Sequence, residues 1–167
     1  MRVHRLVDKL VKSVVKICCT PHPILISMNG YRKQIPIILL IADEKIRSYI
    51  IGLHKSNNYK SLVVADPERL VQDIKKLGSA IIFMDYKAVS IYGTRIYSRI
   101  NVSCPGCNTI LLCDQNHRDL IKEAMDLGAY ACIRAPYQEW EVVTIIRNIL
   151  AKKNFLIKKK PYKSKRQ

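Results

Sequence analysis

Residues 35–44 read IPIILLIADE: eight residues without a charge, then two carboxylates. Eight residues suit a strand buried on both faces and fall far short of the roughly 20 needed to cross a bilayer. The same unit recurs along the chain. SLVVAD spans 61–66, AIIFMD spans 80–85, TILLCD spans 109–114 and AYACIRAP spans 129–136. The pattern predicts strands over 37–42, 61–65, 80–84, 109–113 and 129–133. Helices are expected between and after them, over 44–55, 67–77, 90–100, 115–127 and 137–152. Pro67 suits a first helical turn, and Gly78 and Gly128 suit helix ends. Parallel strands need crossovers, and helical crossovers cover both faces of a sheet. The expected fold is therefore α/β, a doubly wound parallel sheet of five strands and five helices over 36–152.

The whole chain has 167 residues and is 49% hydrophobic, which suits one domain with a core of its own. Its net charge of +16 is unevenly placed. Residues 1–35 carry seven Lys/Arg and one Asp, residues 151–167 carry eight Lys/Arg and no acid, and the middle is nearly neutral. Basic ends attract the phosphates of nucleic acid or an anionic membrane surface, and they also occur as solvated, solubilising segments. Val3, Val7, Leu10, Val14 and Ile17 recur at helical spacing, so residues 2–18 are expected as a basic amphipathic helix. Thr20-Pro21-His22-Pro23 ends it, and 1–35 reads as helix plus linker, with 153–167 as a basic tail. Lys9, Lys12 and Lys16 interrupt what would be a signal-peptide core, so a cytoplasmic chain is expected. On that ground the six cysteines, at 18, 19, 104, 107, 113 and 132, are expected as free thiols.

In doubly wound sheets, ligands sit beyond the carboxyl ends of the strands. The residues there are Asp43 and Glu44, Asp66, Asp85, Asp114, and Arg134-Ala135-Pro136. Gathered carboxylates repel one another unless a cation such as Mg²⁺ joins them, although Asp is also a favoured helix cap. Asp66 and Asp114 fit caps best, leaving Asp43 and Asp85 as the functional pair. No glycine-rich phosphate loop follows the first strand, which argues against a nucleotide enzyme.

The run ILLIADEK, IIFMD, TILLCD and GAYACIRAPY resembles the receiver domain of two-component response regulators, over residues 36 to about 152. The resemblance makes Asp85 the phosphoacceptor candidate, 42 residues after Asp43, 28 before Cys113 and 50 before Ala135. It implies Mg²⁺ held by Asp43 and Asp85. It also implies a histidine kinase or output protein as partner, and a homodimer through the face of the 115–127 helix, the fifth strand and the last helix. The departures from the pattern are specific. Ala42 replaces the first carboxylate of the acidic pair, Cys113 the hydroxyl, Cys132 the switch aromatic and Ala135 the lysine. Fewer carboxylates weaken Mg²⁺ binding, a missing lysine removes a fixed cation, and a thiol is a poor donor. Three functions follow. One is a degenerate, non-enzymatic receiver acting by protein contact, with no cofactor. The second is a weak Mg²⁺-dependent phosphoacceptor on Asp85. The third is a nucleic-acid or membrane adaptor using the basic ends.

Other features have plainer readings. Cys104-Pro105-Gly106-Cys107 precedes the fourth strand, opposite the Asp85 end, and reads as a tight turn rather than a redox motif, with zinc shared between two copies or with Cys18 and Cys19 as the alternative. His54 and His117 are expected at the surface. Trp140 is expected to pack within the domain, bordering the dimer face.

Overall fold

The computed structural model describes residues 35–158. The helix expected over 2–18, the linker to residue 34, Cys18, Cys19 and the tail from 159 lie outside the described residues. Five strands form one parallel sheet: β1 (Ile37–Leu40), β2 (Ser61–Val63), β3 (Ile81–Asp85), β4 (Asn108–Cys113) and β5 (Ala131–Arg134). Their order is β2-β1-β3-β4-β5. Six helices alternate with them among the described residues. They are α1 (Glu44–Ser56), α2 (Pro67–Leu77), α3 (Tyr86–Tyr92), α4 (Ile96–Ser103), α5 (Arg118–Asp126) and α6 (Glu139–Lys158).

The sheet is apolar on both sides, as near-continuous runs of Ile, Leu and Val require. One face presents Ile38, Leu40, Ile82, Met84, Leu111 and Cys113 to Leu70, Ile74, Val89, Tyr97, Ile100 and Ala124 on α2 to α5. The other presents Ile37, Leu39, Phe83, Ile110, Leu112 and Ile133 to Ile50 of α1 and to Val142, Ile146 and Ile149 of α6. Strands β2 and β5 are the edges, and Leu62 and Val63 are exposed on β2. No helix among the described residues is long and apolar enough to cross a membrane.

The single helix expected over 90–100 is two helices. Gly93 has φ 79° and ψ 154°, a conformation that L side chains rarely adopt, and the chain breaks there. The last helix reaches Lys158, because neither glycine nor proline occurs between Glu139 and Pro161. Trp140 does not pack inward and is 68% exposed. The buried stripe of α6 runs through Val142, Ile146 and Ile149, and residues two apart on a helix do not share a face. His54 is not at the surface. It is buried with its ring 5.2 Å from that of Phe83, and neither ring nitrogen has a hydrogen-bond partner among the described residues. Burial lowers its pKa to about 4.

The Cys104–Cys107 segment is the expected turn, closed by the Cys107 N–H donating to the Cys104 carbonyl at 2.9 Å. The turn also brings the two Cα atoms to 5.5 Å, within disulfide range, and the two sulfurs are joined. The expectation of free thiols fails for this pair, while Cys113 and Cys132 are free.

Candidate functional site

Every strand of a parallel sheet ends at the same edge, so the loops after β1, β3, β4 and β5 converge. At their centre, Asp85 is the last residue of β3 and the N-cap of α3. It is completely buried, at 0% exposure. One carboxylate oxygen accepts from the Ala42 N–H at 2.9 Å and the Ala88 N–H at 3.0 Å, and the other accepts from the Asp43 N–H at 2.8 Å. The carboxylate thus caps α3 and latches the end of β1 to β3.

Asp43 is half-buried and caps α1. One of its oxygens accepts from the N–H groups of Lys45 and Ile46, at 2.9 and 3.1 Å. The Ile46 hydrogen bond lowers its pKa most, and the Lys45 hydrogen bond and the Lys87 charge add to this against partial burial. Asp66 caps α2 through the Glu68 N–H at 3.0 Å, as expected. Asp114 does not cap a helix. A turn separates it from α5, and it accepts instead from the Asn116 N–H at 2.8 Å and contacts the His117 ring. That ring stacks on Tyr86, with centroids 4.4 Å apart. Asp43 and Asp85 are caps as well, because α1 and α3 start directly after the strands that end beside them.

The structure therefore brings Ala42, Asp43 and Asp85 together through hydrogen bonds, but Ala42 contributes only its backbone. Mg²⁺ takes a near-octahedral set of oxygens. Here Asp43 is the one partly open carboxylate of the pair, and Asp85 is enclosed and engaged by three N–H groups. No cluster of three or more His, Cys, Asp or Glu suited to a metal occurs among the described residues. Any cation here would therefore rest chiefly on the Asp43 carboxylate and water.

The other positions singled out in the sequence lie on or beside the neighbouring strands. Ala135 follows β5, and its N–H donates to the Cys113 carbonyl at 2.8 Å. The Ala135–Pro136 peptide is cis. Arg134 is exposed and lines a surface cavity of about 450 Å³ with Gln115, Cys132, Ala135 and Glu141. Cys113 and Cys132 touch, their sulfurs 2.8 Å apart. Sequence reasoning named both cysteines but not their contact. The signal was available in the common face that strand alternation assigns to them once β4 and β5 are set side by side.

No protein-family model and no curated protein matches this sequence. Solved structures do match. A signal receiver domain of an HD-domain-containing protein from Pseudomonas fluorescens is 18% identical, with a TM-score of 0.67, covering 80% of this chain and 98% of that one. A response regulator receiver domain protein from Clostridium thermocellum is 21% identical, with a TM-score of 0.62 over 73% of this chain and 99% of that one. A CheY-like protein from Pseudomonas aeruginosa is 15% identical, with a TM-score of 0.60 over 70% of this chain and 99% of that one. The sheet order, the alternation of helices and these likenesses agree, and the described domain has the CheY-like fold of response-regulator receivers.

Proposed function

We propose that the chain is a receiver-like signalling module that acts through protein contacts, without a phosphorylated aspartate, a resident metal or catalysis of its own. The observation that carries this reading is the state of Asp85. Phosphoryl transfer needs an acceptor oxygen that can approach phosphorus in line, with a cation bridging the charge that develops. A fully buried carboxylate that already accepts three backbone N–H groups is closed to such an approach by its burial. Ala42 and Ala135 withdraw the second carboxylate and the lysine that a receiver would bring to the same edge. What remains is a parallel sheet flanked by helices, with exposed apolar side chains on its outer elements.

Trp140, Tyr130 and Met125 are exposed on or beside α5, β5 and α6. Large exposed aromatics are the side chains on which protein interfaces most often depend. This supports a protein partner on these side chains, and the receiver-like fold makes a signalling protein, a kinase or an output component, the partner we propose. Mg²⁺ titration of the full chain by calorimetry tests the reading. No saturable heat at millimolar Mg²⁺ is expected. Saturable binding that Asp43→Asn removes would overturn it in favour of a metal-dependent phosphoacceptor.

A further inference from the structure

Cys113 ends β4, and Cys132 lies in β5 beside it. Leu111 pairs with Cys132 and Cys113 with Arg134, so Cys113 and Cys132 point to the same face of the sheet as diagonal neighbours. Their sulfurs are 2.8 Å apart. That is only about 0.8 Å longer than a covalent S–S bond. Their surroundings differ. Cys113 is fully buried, with its sulfur also 3.7 Å from the Ile133 carbonyl. Cys132 is half-buried and lines the cavity of about 450 Å³ with Gln115, Arg134 and Glu141. Cys132 is a lining residue of that cavity, and Cys113 is buried beside it. An attacking and a resolving cysteine are placed in this way.

We propose that Cys113 and Cys132 form a reversible disulfide, made by exchange with a low-molecular-weight disulfide that enters the cavity beside Cys132. The Cys132 thiol gives its proton to solvent, and its sulfur attacks one sulfur of the small disulfide. That S–S bond breaks, one small thiolate leaves, and a mixed disulfide stands on Cys132. Cys113 then loses its proton and attacks the Cys132 sulfur, and the second small thiolate leaves. Two protein thiols are oxidised to one disulfide, the small disulfide is reduced to two thiols, and the two protons end on those thiols. Arg134 and Glu141 put one charge of each sign on the cavity wall, which suits a zwitterionic peptide disulfide. The new bond would tie the end of β4 to β5, one strand away from the Asp85 edge. Burial raises the pKa of both thiols, and in Cys132 the hydrogen bond to Cys113 adds to it. Exchange is therefore expected to be slow at neutral pH and to quicken as pH rises.

The test is to equilibrate the full chain with oxidised and reduced glutathione in varied ratio, block the remaining thiols, and identify linked peptides by mass. A Cys113–Cys132 cross-link should grow with the oxidised fraction and disappear on reduction, in the wild type and in Cys104→Ser/Cys107→Ser alike. Cys113→Ser should retain glutathione on Cys132, and Cys132→Ser should leave Cys113 unmodified while folded. Free thiols at both positions at every ratio in folded protein would overturn the proposal. So would glutathione held on Cys132 of the wild type without the cross-link, which would mark ordinary packing cysteines. Neither failure touches the reading of Asp85, which makes no use of these thiols.

Discussion

At the scale of single residues, two buried polar groups set what this domain can do. The Asp85 carboxylate accepts three backbone N–H groups from two places in the chain: Ala42 and Asp43 between β1 and α1, and Ala88 in the first turn of α3. An amide in its place keeps one acceptor oxygen but turns an NH₂ group toward a backbone N–H that it cannot accept. Asp85→Asn should therefore lose about 2–4 kcal/mol of stability in urea unfolding, the cost of weakening charge-assisted bonds and leaving one buried donor unpaired. His54 titrates in the opposite sense to an ion-paired histidine. Its pKa falls from 6.5 to about 4 on folding, because burial beside Phe83 penalises the charged ring. The unfolded chain thus takes up the proton first as pH falls. Stability is complete above about pH 6.5, declines between there and about pH 4, and has lost its full share below that, on the order of 2–3 kcal/mol. His54→Leu should remove this share. Its advantage over the wild type should grow as pH falls through that window in chemical-denaturation curves. A constant difference would contradict the assignment. From sequence Asp85 reads as a functional acid rather than a cap, and its capping role shows only in the hydrogen bonds. His54 was expected at the surface, although it stands four residues after Ile50 and eight after Ile46, a spacing that puts it on the apolar side of α1.

The elements themselves were largely legible, because their signals are local. Asp66, Pro67 and Gly78 bracket α2 over the expected span, and Gly78 takes a left-handed φ of 69° as its C-cap. The five apolar runs became five strands, and the alternation with helices dictated the parallel sheet. The failures came where a single residue had to be weighed against a pattern. Gly93 inside a helical stretch is a weak signal, yet it divides 86–103 into α3 and α4. A methyl group at Gly93 meets nothing within 4 Å, so the cost of substitution is purely conformational. Gly93→Ala should destabilise by about 1–3 kcal/mol, read as a lower unfolding midpoint with an unchanged denaturant slope. No measurable loss would mean that α3 and α4 tolerate another junction. Trp140 was misplaced for a different reason. The apolar run of α6 is broad, and only the tertiary contacts show that Val142, Ile146 and Ile149 form its inner stripe.

For the molecule as a whole, fold and chemistry separate. The sheet order and helix placement are those of a receiver, while on the proposed reading Ala42, Cys113, Cys132 and Ala135 stand where a receiver would carry its chemistry. Those departures follow from the resemblance to receivers and not from the residues alone. That Asp43 and Asp85 had become parts of the backbone framework was not legible in the sequence, since it depends on hydrogen bonds between residues some 40 positions apart. The central claim is that the fold persists here without its phosphoacceptor. The most direct test is the intact mass of the folded full chain after incubation with Mg²⁺ and acetyl phosphate, beside Asp85→Asn treated in the same way. No phosphoryl adduct on the wild type is the predicted result. An adduct that the substitution abolishes, in protein that remains folded, would contradict the account and make Asp85 a working phosphoacceptor.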